Sequence, residues 1–324
     1  MTAQLLRKVA GILVVSALMV SVAKSQDLNQ VIQAYNEGAK AMQTDPAAAI
    51  KSFENAISLA EKVGAEAVEM KKKATSVLPG LYLKLAQTAI TEKKPSADIM
   101  KAAKTARSVA EKYGTQVQKD NASKILVQAF NVQAVGFFSK NDYQNALVTF
   151  DSLLAVNPDY VNAIYNKALI YNKQNNSDLF EQTIDSYLVK VKAVNDTTKA
   201  KQASTLALGY FRGAGSKANQ TGKLDDALTL LNKASKYGDD KDTFYYFSDV
   251  YNKQKNFDKG LENAQRGLDL ESGTAEAKAK FYFQLGLAQE GKGQTAEACA
   301  SFKNSAFGPF AEPSKIQLKN LKCQ

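Results

Sequence analysis

One helical phrase recurs along the chain. It is clearest at Phe130, Ala134, Phe137, Tyr143, Ala146, Phe150 and Pro158, and it returns in degenerate form as late as Tyr282, Leu285, Gly286, Ala298 and Phe302. Within one copy, apolar residues fall three, four or seven apart, which is the face of a helix. Recurrence at about 34 residues predicts a stack of helix pairs, each burying its apolar stripe against its neighbours. Such a stack exposes an extended surface, so the pattern points to binding before chemistry. It does not name the ligand.

The copy at 127–160 sets the frame. The next, 161–194, follows without a gap and carries Ile164, Ala168, Tyr171 and Ile184, but places Phe180 and Tyr187 where small residues are expected. Packing there should be looser or shifted. Further copies fall at 208–240 (Phe211, Gly215, Leu224, Ala227, Leu231, Ala234), 241–274 (Phe244, Phe247, Ser248, Tyr251, Phe257, Gly260, Gly267) and 279–312. Nearer the N-terminus, Asp27–Gln43 is amphipathic. Asp45-Pro46 then opens a helix with Ala49, Phe53 and Ala56 on one side, proline being tolerated in a first turn.

Two stretches break the period. Residues 65–94 are too long for an ordinary first helix and hold Pro79-Gly80. Proline removes a backbone donor and crowds the preceding turn, so a break or kink is expected there. Pro95 should open the partner helix, ending at Tyr113 before Gly114. Residues 195–207 fit no copy, yet helix-forming content continues through 198–210, so an extended helix is expected rather than a linker.

The spacing of large and small residues resembles the tetratricopeptide repeat (TPR) family, which sets large residues at positions 4, 7, 11, 17 and 24 of each repeat, small ones at 8, 20 and 27, and often Pro at 32. The resemblance implies an all-α, right-handed superhelical solenoid of about seven antiparallel helix pairs with a C-terminal capping helix after Pro313. It also implies that positions 2, 5, 9, 12 and 13 line a concave groove. These map to Gln128, Asn131, Asn162, Tyr165, Asn172, Lys173, Arg212, Asn219, Tyr245, Asp249, Asn252, Lys253 and Phe283. The Lys and Asn set with which some TPR proteins grip an acidic C-terminal peptide is not in register here.

The first residues carry a different message. Arg7 and Lys8 precede an almost wholly apolar run, Val9–Val22, followed by Ala23-Lys24-Ser25. That is the layout of a secretory leader, 1–25, cleaved before Gln26. The run is shorter than the roughly 20 residues that span a bilayer, and none later approaches it. The repeat domain is then 26–324. Three of the cations behind the formal charge of +10 lie in the leader, which leaves +7, mostly lysines spread along the chain. Export makes nucleic acid an unsuitable partner and permits a disulfide between the two cysteines, Cys299 and Cys323. Such a bridge would fasten the terminal segment to the last repeat.

The chain has no histidine. That excludes Ser-His-Asp and Cys-His catalysis and His-ligated zinc, and two cysteines cannot form an all-thiolate zinc site. Asp225-Asp226 opens a helix, where negative charge suits the dipole. Gly238-Asp239-Asp240-Lys241-Asp242 lacks the pattern of a calcium loop. Gly286 to Lys292 has the spacing of a phosphate loop, but no strand precedes it and Gly293 stands where a hydroxyl should be.

The expectation is therefore a non-catalytic scaffold, with no cofactor and no metal. It is exported to the periplasm, or secreted or held at the outer membrane, and binds another envelope protein or peptide. The alternative is a glycan- or cell-wall-binding accessory protein. A carboxylate-dependent hydrolase is a third reading. The style of the repeats, with a Cys in the last copy and another near the chain end, resembles exported TPR proteins of Gram-negative bacteria, especially Bacteroidota. Oligomeric state is left open.

Overall fold

A computed structural model describes residues 27–324; the expected leader lies outside the described residues. Those residues hold fifteen α-helices and no strand. The first, α1, covers residues 27–41. The others are α2 (Pro46–Val63), α3 (Val68–Thr91), α4 (Ser96–Tyr113), α5 (Gln116–Ser139), α6 (Tyr143–Val156), α7 (Val161–Lys173), α8 (Ser177–Ala193), α9 (Thr197–Gln220), α10 (Leu224–Ser235), α11 (Lys241–Lys253), α12 (Phe257–Asp269), α13 (Ala275–Gly291), α14 (Thr295–Asn304) and α15 (Ala311–Asn320). They make seven consecutive pairs and a terminal helix. Odd-numbered helices lead each pair and even-numbered ones trail.

The turns are built from short-range chemistry. Lys93, Asn141, Asn175, Gly222, Lys255 and Gly293 each take a left-handed conformation, with φ between 53° and 76°, at the end of a leading helix. Such a residue stops a helix, and glycine or asparagine adopts it at least cost. The trailing helix follows at once. Asp142, Asn176 and Asn256 accept from backbone amides three residues on, satisfying donors that the first turn leaves open. Asn195 and Asp196 repeat this motif between α8 and α9, where Asp196 caps α9. A turn of the within-pair kind thus joins two pairs, and α9 starts early.

The apolar frame appears as contact. A Cβ at Gly286 would lie 2.6 Å from the Phe302 ring, and one at Gly215 2.8 Å from Leu231, so positions 8 and 24 meet where only a small residue fits. The Ser248 hydroxyl donates to the Gly260 carbonyl at 2.7 Å, joining positions 8 and 20 of one copy. Phe53, Phe150, Phe180, Phe211, Phe281 and Phe302 are fully buried. Burying an aromatic side chain of this size contributes about 1.5–3 kcal/mol each, so these rings anchor the pairs.

The described residues fall into two compact units, 27–163 and Ile164–Gln324. In the first, α1, α2 and α3 share a core of Ala34, Ala49, Ile50, Phe53, Ala56, Ile57, Ala74, Leu78 and Leu81. A second core joins α3, α4 and α5 through Ala86, Ile99, Ala103, Ala106, Ile125 and Ala129. In the second unit, Ala227 and Leu231 of α10 pack on Phe244, Phe247 and Val250 of α11.

Three features differ from the sequence reading. Helix α3 is continuous through Pro79, which is itself buried beside Leu78 and Leu81, so of the expected break or kink the break does not occur. The apolar contacts on this side hold the helix together across the missing donor. Helix α5, like α3 and α9, is 24 residues long, so there are three extended leading helices, not two. Phe180 and Tyr187 are buried, and Phe180 packs on Tyr210 and Phe211 of α9 with ring centroids 4.6 and 5.8 Å away. Phe180 thus reaches the next pair, while Tyr187 packs on Tyr165 within its own.

The terminal helix is clasped covalently. Cys299 on α14 and Cys323 beyond α15 form a disulfide, their Cα atoms 5.7 Å apart. Under it, Ser305 and Ser314 share a buried hydrogen bond of 2.7 Å, and Phe310 packs on Phe283 at 5.3 Å.

Candidate functional site

In the second unit α11 touches both α9 and α13, so these leading helices form one face. Arg212, Tyr245, Asp249 and Asn252 all lie on it, and they meet partners from neighbouring helices. Arg212 donates to Asp240 at 2.9 Å and lies 3.5 Å from Asp242. Asp242 also pairs with Lys280 of α13. Asp249 accepts from Asn219 of α9 at 2.6 Å, from Lys253 at 2.8 Å and from Gln284 of α13 at 3.2 Å. Lys253 donates to the Asn219 oxygen at 2.9 Å. Asn252 donates to the backbone and side-chain oxygens of Gln284 at 3.0 and 2.9 Å. The result is a polar ladder from α9 to α13.

The ladder is embedded in aromatic packing. Tyr245 stands edge-on to Phe281 at 6.2 Å and to Tyr246 at 5.2 Å. Burial, reinforced by the Asp249 charge, pushes its phenol up to about 12. Burial raises the Asp240 carboxyl, but bonds from Arg212 and Thr243 outweigh it, and the net direction is below the ordinary value of 3.8. Asp240 is also the N-cap of α11, accepting from the Thr243 amide at 2.8 Å. The acidic turn that superficially suggests a calcium loop is therefore occupied by a helix start and an arginine.

Between α7 and α9 the same face is open. Here lies a cleft of ≈ 560 Å³, lined by Tyr165 of α7 and by Thr198, Lys201, Gln202, Thr205 and Leu206 of α9. All five α9 residues belong to its early-starting N-terminal half. Thr198, Lys201, Gln202 and Thr205 are exposed, while Tyr165 and Leu206 are half-buried. Tyr165 leans on buried Tyr187 of α8, with centroids 5.0 Å apart. Lys199, close by, is used locally: it bonds the cap Asp196 at 2.8 Å, which holds that carboxyl below its usual range.

The other expected groove residues are more scattered. Asn172, half-buried, and Lys173, exposed, end α7. In the first unit Asn131 is half-buried on α5, beside exposed Val132 and Val135 on the same helix, and Asn162 is exposed at the start of α7. The cleft residues of α9 were missed by the repeat frame, which begins after them. The available hint was the helix-forming content of 198–210. The opposite side of the second unit carries an ion-pair cluster, in which Glu181 of α8 meets Lys233 at 2.9 Å and Lys236 at 3.1 Å.

Among the described residues no group of three or more His, Cys, Asp or Glu is placed to hold a metal ion. The imitation phosphate loop lies mostly inside α13, where Gly286 faces Phe302 and Gly291 faces Phe257. No helix among the described residues is long and apolar enough to cross a membrane.

No protein-family model matches the chain, and no curated protein matches it. Solved structures that the chain is similar to include TPR proteins. A tetratricopeptide repeat protein from Parabacteroides merdae is 16% identical, with 92% of this chain and 99% of that one covered and a TM-score of 0.30. YrrB, described as a TPR protein with an unusual peptide-binding site, is 15% identical over 60% of this chain and 91% of its own, with a TM-score of 0.34. The MamA protein is 18% identical over 61% and 96%, also at 0.34.

Proposed function

We propose that this chain is an exported, non-catalytic adaptor that holds another protein or peptide of the cell envelope in the cleft between α7 and α9. The observation that carries the reading is the contrast within one face: α9, α11 and α13 are closed by their own polar ladder, whereas α7 and α9 leave an open cleft lined by exposed Thr198, Gln202 and Thr205. Ligand clefts combine apolar lining with a few polar groups that fix orientation, and Tyr165 and Leu206 beside Thr198, Gln202 and Thr205 fit that description. The glycan reading has less behind it, because the cleft offers one ring, and that ring already leans on Tyr187.

Export is supported by the apolar run Val9–Val22 with Ala23-Lys24-Ser25 behind it, and by a cysteine pair positioned to bridge. Fractionation with N-terminal sequencing tests it: a periplasmic product starting at Gln26 is expected, and a cytoplasmic one starting at the initiator would refute it. The binding reading is tested by affinity capture from an envelope extract. Thr205→Arg fills the cleft from an exposed position and should lose the partners that the unaltered chain retains. Recovery of the same partners at the same yield would sink the reading.

A further inference from the structure

Resting on that reading of the cleft, we infer the chemistry of its occupant: an extended peptide segment that sets an acidic side chain beside an apolar one. The carboxylate meets Lys201, and the apolar side chain lies on Tyr165 and Leu206.

The charge argument is local. Among the described residues, Lys201 is the only charged one lining the cleft, and it is exposed with no carboxylate paired to it. Its neighbour Lys199 has one, Asp196. A single uncompensated cation in an otherwise neutral cleft favours one anionic group and disfavours a cationic one at the same place. An acidic polymer would be better served by a row of cations than by one.

The length argument concerns shape. Thr198, Gln202 and Thr205 step along one side of α9 at intervals of four and three residues. At 1.5 Å per residue they span about 10 Å of helix. An extended peptide covers that distance in about three residues, at roughly 3.3 Å each. Hydroxyl and carboxamide groups both donate and accept, which suits a peptide backbone that presents N–H and C=O groups alternately along its edge. The cleft therefore takes a short strand-like segment lying along α9, with Lys201 fixing its direction and register.

The test is selection from a displayed random peptide library on the immobilised full chain, using the unaltered protein, Lys201→Glu and Thr205→Arg. Thermal melts of all three confirm that they fold. The unaltered protein should enrich peptides with Asp or Glu near a large apolar residue. Lys201→Glu should instead enrich Lys or Arg at that place and weaken the original acidic peptides about two- to fivefold, the size of one exposed ion pair. Thr205→Arg should enrich none of them. Identical charge preference in the unaltered and Lys201→Glu proteins would overturn the carboxylate assignment while leaving the docking site standing. Enrichment of the same peptides by Thr205→Arg, or of none by the unaltered protein, would overturn both. Retention of the unaltered protein on an acidic polysaccharide column, lost in Thr205→Arg, would overturn the peptide assignment in favour of a glycan.

Discussion

The leading helices of the second unit treat one face in two ways. From α9 to α13, polar side chains find complements one helix away: Arg212 with Asp240, Asn219 with Asp249, Asn252 with Gln284. Between α7 and the early half of α9, the described residues that line the cleft are not joined by such a ladder, and the space stays open. Both stretches obey the same apolar frame. What separates them is whether each polar residue meets its opposite charge or its hydrogen-bond complement on the adjacent helix. A face of this kind is either spent on cohesion or kept for a partner, and its residue types alone do not say which.

The comparison is broken most forcefully from below. Phe281→Ala removes a fully buried ring that packs against Gly267 and supports Tyr245. It should cost about 3–5 kcal/mol, read as a lower urea midpoint. A loss much smaller than that would mean that the ladder, and not the ring beneath it, carries the face. Asp249→Ala leaves Asn219, Lys253 and Gln284 without their acceptor and should cost about 1–3 kcal/mol, with peptide capture unchanged. A variant that keeps its stability but loses capture would reverse the roles assigned to ladder and cleft.

Acid should loosen the ladder and spare the cleft. The folded-state pKa of Asp240 lies below its ordinary value of 3.8, so its stabilisation is complete above that value. It is lost as pH falls through the depressed value, when the unfolded chain already binds the proton. The urea midpoint should therefore drop on acidification below pH 3.8, and Arg212→Gln should flatten that drop. An equally steep drop in both proteins would remove Arg212 from the account. The smallest effect is expected at the cleft. Thr205→Arg should alter stability by no more than about 0.5 kcal/mol, because the residue is exposed and makes no core contact. Marked destabilisation would show that the cleft wall is structural.

Much of the fold was legible beforehand, for a physical reason. Large residues at positions 4 and 24 and small ones at 8 and 20 describe contacts between helices a few turns apart in sequence. Gly286 against Phe302 and Ser248 against Gly260 realise them. Pro79 misled because its local cost is offset by tertiary burial that no local rule contains. The length of α5 was missed because the frame starts where the aromatic phrase starts, at 127, whereas the capping box of Thr115 and Gln118 starts the helix earlier. For the candidate site, the repeat positions placed Arg212, Asp249 and Asn252 on one face. Their pairing was hidden because it depends on side chains 28 to 35 residues away meeting in space.

The clasp at the chain end has a mechanical consequence. The bond from Cys323 to Cys299 closes a covalent ring that includes α15. Tension applied at the C-terminus enters the array at α14 through sulfur and bypasses the intervening polypeptide. Without the bridge, the same pull would peel α15 away, with Ser314 its one fully buried residue. With it, the load falls on a helix whose Ala298, Ser301 and Phe302 are locked into the last pair. A chain pulled by its tail would thus be gripped by its frame and not by its trim.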